Sequence, residues 1–190
     1  MNNPHWQYYL TLDADLEEAS RYVEISPNNF KTYSVEFVRM LLAAGSEIDV
    51  VARLLCKQLM PSSTADNIDD YRKLLTAKFP RLATVKVSAD RYAISLTPWE
   101  SWEHGKNPSW WKSHANVKHH RDSQFPEASL ENVLNAIGGL CILVLYMYHD
   151  HMPVSKLRLK PRVLFLDAQY ECGGHLLRGS DYRLPDFPNP

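Results

Sequence analysis

A mainly α fold, a helical bundle with one long and one buried central helix, is predicted by three observations. Apolar residues recur at helical spacing from Ser26 to Pro61. A nearly unbroken apolar run, Val133 to Tyr148, follows later. Strand-like alternation is confined to two short stretches, Thr84 to Leu96 and Val163 to Leu166. The bundle is therefore expected to carry a small β-hairpin and a strand-like C-terminal segment.

A first helix is expected from Asp13 to Glu24, where an acidic opening turn suits the helix dipole. Ser26-Pro27 then opens the long helix, which runs to Pro61. Its seam is Val38, Leu41, Ile48, Leu55 and Leu59, and Gly45 and Ala52 on the same stripe permit close approach of a partner helix. Glu36, Glu47, Arg53 and Lys57 fall away from that seam, on a face suited to water and surface ion pairs. Beyond Pro61 a cap in SSTADN starts a short amphipathic helix, Ile68 to Lys78, which Pro80 ends.

Alternation in Thr84–Val87 and Tyr92–Leu96 around a turn at Ser88–Arg91 predicts the hairpin. Pro98, Trp99 and Trp102 form the corner where it meets the bundle. Asn107 as cap and Pro108 in the first turn start the next helix, expected to reach Asp122. Phe125-Pro126 breaks it, and the buried helix follows from Ala128 to His149. Asn135, two glycines and a short span argue that this run is a core helix rather than a membrane crossing, which needs ~20 apolar residues. One domain is expected over residues 1–190, with a helical core at about 13–150, a hairpin insertion at about 84–96 and an appendage at 151–190.

Composition excludes several function classes. The chain has 190 residues, 45% hydrophobic, with 21 basic against 22 acidic side chains, so no global field recruits a polyanion. Nucleic-acid binding would need a local basic patch. Cys56, Cys141 and Cys172 are far apart and lack paired spacing, which points to reduced thiols in a cytoplasmic protein. The first residues lack the basic-then-apolar pattern of a secretory signal, so neither export nor membrane attachment is expected. Phosphate-loop, dinucleotide and serine-hydrolase motifs are missing. Cys172-Gly173-Gly174-His175 reads as a flexible turn.

Chemistry concentrates in Asn107–Phe125, NPSWWKSHANVKHHRDSQF. At ~100° per residue, Lys112, Asn116, His119 and Ser123 form one stripe. Trp110, His114, Val117 and Arg121 form the opposite, anchoring side, where His114 and Arg121 would meet acidic partners. Metal-independent RNA cleavage needs a proton acceptor, a proton donor and a cation for the phosphate. His119 or His120 suits the proton work, Asn116 suits positioning, and Lys112, Lys118 and Arg121 suit phosphate. Equally, a histidine- and lysine-rich helix face is what a hydrated surface looks like. His114, His119, His120, His149, His151 and His175 include no pair four apart on one helix and no His-Glu-x-x-His, so no metal and no cofactor are expected.

Arg21–Ser34 leading into the long helix with Ala44-Gly45-Ser46-Glu47-Ile48-Asp49, then Trp110-Trp111 with Asn116–His119 and Arg121, then the buried helix, resemble the HEPN superfamily. These helical domains, named for higher eukaryotes and prokaryotes nucleotide-binding, recur in bacterial defence and toxin systems. The resemblance covers about Arg21 to Tyr148 and implies an RNA-binding or RNA-cleaving protein in antiviral defence or a toxin–antitoxin pair, acting as a homodimer. Active members carry Arg with His four to six residues on. Here Arg121 has no such histidine, and the nearest analogues are Asn116 with His119 and Lys112 with His119. The resemblance thus gives His119 acid/base work, Asn116 positioning, and Lys112, Lys118 and Arg121 phosphate, with Glu47 orienting a histidine. The competing reading is a noncatalytic protein–protein interaction module or accessory subunit, its tryptophans, hairpin and tail forming the partner surface.

Overall fold

The computed structural model describes residues 3–149, 161–172, 181–182 and 184–187. Among them are five α-helices: α1 (Pro4–Ala19), α2 (Val35–Leu59), α3 (Ile68–Lys78), α4 (Ser109–Gln124) and α5 (Leu130–Tyr148). Strands β1 (Val87–Ala89), β2 (Ile94–Leu96) and β3 (Phe165–Leu166) form an antiparallel sheet in the order β2-β1-β3. Strands β4 (Glu171–Cys172) and β5 (Asp181–Tyr182) pair separately. The mainly helical class with a small hairpin is as the sequence predicts, and the C-terminal strand joins it as an edge.

α5 is the core. Its apolar window has mean hydropathy 1.7, long and apolar enough to cross a membrane, yet 83% of it is buried inside the fold. The most extensive helix contact is with α2, whose seam residues Val38, Leu41, Ala44, Gly45, Ile48, Ala52 and Leu55 are all buried. Leu59, at the last turn, is only partly covered.

Three boundaries differ from expectation, each for a local reason. The first helix spans Pro4–Ala19 instead of Asp13–Glu24, because Pro4 fits the first turn, and Trp6, Tyr9, Leu12 and Leu16 line one buried face that ends before Ser20. Asp13 sits in mid-helix, fully buried, and its carboxylate accepts from the backbone N–H of Val163 (3.2 Å) and Leu164 (2.9 Å) and from that of Arg162. Burial raises its pKa against these donors. Ser26 caps only a 3₁₀ turn, Pro27–Asn29. The chain then turns at Phe30–Lys31 and bridges to Ser129 at Tyr33, where the Phe30 and Thr32 carbonyls accept from Glu131 and Leu130 at the start of α5. α2 begins afresh at Ser34, whose hydroxyl accepts from Phe37 N–H. The hairpin turn is displaced to Asp90–Tyr92, closed by Ala93 in the left-handed region at φ 54°. β1 is the middle strand with all three residues buried, so simple alternation did not locate it.

The remaining helices follow their signals. Asn67 caps α3 by accepting from Asp69 and Asp70 N–H, and Ser129 caps α5 by accepting from Asn132 N–H. Asn107 does not cap α4. Pro108 occupies that position, while the Asn107 amide joins Arg72 and Asp69 of α3.

Candidate nucleic-acid interface

The first half of α4 is held by aromatic packing. Trp110 Nε1 donates to the Pro98 carbonyl at 2.8 Å, and its ring meets Trp99 edge-on at 5.0 Å. Trp99 in turn donates to the Gly139 carbonyl at 3.1 Å and packs on Trp102. Gly139 admits these rings: an added Cβ would lie 3.3 Å from both Trp99 and Trp110. Trp99, Trp102 and Trp110 are all buried, so they are core and not the partner surface of the interaction-module reading.

His114 lies one turn beyond Trp110, buried against α2 and tilted against Trp111 at 5.2 Å. Gly45 makes room for it, since a Cβ there would come within 2.3 Å of the imidazole. The expected acidic partner does not reach it: neither ring nitrogen has a hydrogen-bond partner, and Asp49 acts only through its charge. Burial, reinforced by Lys118, lowers its pKa to about 4, so the ring is neutral at physiological pH.

Beyond Val117 the helix leaves the core. His120 has φ −138° and ψ 41°, a kink that re-phases the side chains after it. Arg121 therefore does not join the anchors as an unbroken wheel predicts. It is exposed and lines a groove of about 860 Å³ between α2 and α4. Val38, Leu42 and Val117 supply apolar lining, and Lys118, His119, Arg121 and Asp122 supply the polar side. Phe125 and Val35 also line it, Val35 being 75% exposed. Phe125 packs edge-on against Tyr33 at 5.4 Å, and Tyr33 is itself 47% exposed. Two fixed cations thus stand beside apolar and aromatic surface, with one carboxylate as counterweight.

The other sequence-predicted residues are elsewhere. Asn116 donates to both carboxylate oxygens of Glu127, at 2.9 and 3.1 Å, clipping α4 to the 3₁₀ turn Phe125–Glu127. Lys112 is exposed and does not line the groove. Glu47 is engaged by a different histidine: His5 Nδ1 lies 2.6 Å from its Oε1. His119 and His120 rings are 6.4 Å apart. The groove accordingly gathers His119, Lys118 and Arg121 and leaves out Asn116, Lys112 and Glu47.

Sequence reading missed Val35, Tyr33 and Phe125, although two of them are apolar residues at helix ends. His5 carried no signal, because its partner is 42 residues away. Among the described residues no three His, Cys, Asp or Glu side chains converge as a metal site. His151, His175 and the Gly173-Gly174 turn lie outside the described residues. Cys56 and Cys141 are buried free thiols, pushed by burial up to about 11 and about 12 and hence inert. Comparison with family models, curated proteins and solved structures finds no match to this chain.

Proposed function

We propose that this protein binds single-stranded RNA in the α2–α4 groove. One observation carries the reading: Lys118 and Arg121 line the same groove as Phe125, whose ring borders the exposed Tyr33. Single-stranded nucleic acid is held by cations that track phosphates and by aromatic faces on which bases stack. A chain with net charge −1 needs such a local patch. His119, exposed in the same groove, is the group to exchange a proton with a ribose hydroxyl if the bound strand is cut. The HEPN-like resemblance extends the reading to a homodimer in antiviral defence or a toxin–antitoxin pair.

Fluorescence anisotropy with labelled single-stranded RNA across a salt series tests binding. The double variant Lys118→Ala/Arg121→Ala should flatten the slope of log affinity against log salt by about 1.4. An unchanged slope sinks the groove assignment. Cleavage is tested by incubating mixed cellular RNA in EDTA with the native chain and with His119→Ala. Equal backgrounds would leave a binding protein without nuclease activity.

A noncatalytic protein-binding role rests on the strong exposure of Val35 and Tyr33. In that case Val35→Glu abolishes capture of a protein partner from native lysate while RNA affinity is absent in the native chain.

A further inference from the structure

A second pocket, about 390 Å³, lies where the N-terminus of α1 meets the last turns of α2 and α5, and it shares no lining residue with the α2–α4 groove. Pro4, Leu54 and Met147 supply apolar lining, and His5, Lys57 and Tyr148 bring polar groups. Behind it stands the His5–Glu47 pair, its side chains only 18% and 14% exposed. Tyr148, at the last turn of α5, lines the pocket beside His5 at the first turn of α1.

The pair determines which atom His5 offers. An ionised carboxylate carries no hydrogen, so the 2.6 Å contact places the proton on Nδ1 and leaves Nε2 as the ring's remaining hydrogen-bonding atom. The fixed charge lining the pocket is the Lys57 ammonium; the Glu47 carboxylate does not line it and is engaged by His5. A volume near 390 Å³ falls within the range of small-molecule sites.

We propose that this pocket binds a small phosphomonoester with an apolar body, its phosphate held between Lys57 and His5 Nε2 and its body against Leu54, Met147 and Pro4. The imidazole suits either form of such an ester: Nε2–H donates to a phosphate oxygen, and an unprotonated Nε2 accepts from a P–OH. Glu47 is a positioning residue in this scheme, since it holds the ring and its tautomer without touching the ligand. The site is independent of RNA binding in the groove.

Phenyl phosphate is the probe, with inorganic phosphate and phenol as controls, and the readout is the His5 ring nitrogens in long-range ¹H–¹⁵N spectra of the ¹⁵N-labelled chain. Phenyl phosphate should move Nε2 saturably and at lower concentration than either control. Lys57→Ala, an exposed change, should weaken binding about tenfold, while Lys31→Ala, exposed and lining neither site, leaves it unchanged. Glu47→Gln should alter the ring tautomer and weaken binding with the helical circular dichroism intact. No saturable shift overturns the proposal, as does phenol binding as tightly as phenyl phosphate. Inorganic phosphate matching phenyl phosphate, or an indifferent Lys57→Ala, marks an adventitious anion only and also overturns it. If Glu47→Gln does not fold, Lys57→Ala still decides the matter.

Discussion

The two halves of α4 carry similar residue types and do opposite work. From Trp110 to Val117 the helix is architecture: an indole donating to a backbone carbonyl, a neutral imidazole wedged over a glycine, a valine in the core. From Lys118 to Gln124, a stretch that contains the kink at His120, the helix presents charge to a groove. Histidine occurs in both halves, and burial is the main difference between them. His114 is desolvated and uncharged, whereas His119 is exposed among cations. Polar residues crowded into one segment therefore need not make one site.

The sharpest way to break the comparison is Trp110→Ala. It removes a fully packed indole and its hydrogen bond to Pro98 from the corner of three tryptophans. The expected loss is about 3–5 kcal/mol of stability by urea denaturation. A cost below ~1 kcal/mol would place the first half of α4 outside the core, and the distinction between the halves would fall.

Acid should find the same boundary. The folded pKa of His114 is about 4 against 6.5 ordinarily, so between those values the unfolded chain takes a proton that the folded chain refuses. Stability from this group is complete above about pH 6.5, declines as pH falls, and is fully lost below about pH 4. Comparing the native chain with His114→Phe at about pH 7 and about pH 4.5 isolates it, and the native chain should lose about 2–3 kcal/mol more than the variant. Asp13, whose raised pKa acts in the opposite sense, is common to both chains and cancels. Parallel losses in the two proteins would mean that His114 is solvated.

Gly45→Ala sharpens the packing side through its sign. On an open helix the change gains about 1 kcal/mol in propensity. Here the new methyl meets the His114 ring at 2.3 Å, so the substitution should instead cost about 1–3 kcal/mol. In a His114→Ala background the clash disappears and the same substitution should become stabilising. This double-mutant cycle reads the contact directly.

What the sequence disclosed and what it withheld divide along the same line. The period of α2, the burial of α5 and the capping of α3 by Asn67 were all legible, because each is set by residues adjacent in the chain. The start of α2 was not, since Ser26-Pro27 is a sound helix opening that the pairing of Phe30 and Thr32 with α5 overrides. His114 and Arg121 fell on one face of an ideal wheel and parted because a kink at His120 lies between them. Glu47 was read as a carboxylate for a histidine, and it does hold one, but the partner is His5 on α1. Pairings across 42 residues leave no periodic trace.

The smallest effect on stability belongs to the groove half, and it is the most telling for function. Lys118 and Arg121 are exposed, and the kink at His120 turns Arg121 away from the packed face. Replacing either by alanine should change stability by no more than about 0.5 kcal/mol. The same changes should weaken RNA binding several-fold each, with Arg121→Lys recovering only part of the loss, because an ammonium keeps the charge without the planar two-pronged contact to phosphate. Trp110→Ala measured below its melting transition gives the opposite pattern, a destabilised chain that still binds through an intact second half. If instead Lys118→Ala and Arg121→Ala cost stability while leaving RNA affinity untouched, both residues are surface ion-pair partners, and the groove between α2 and α4 is not where a nucleic acid lies.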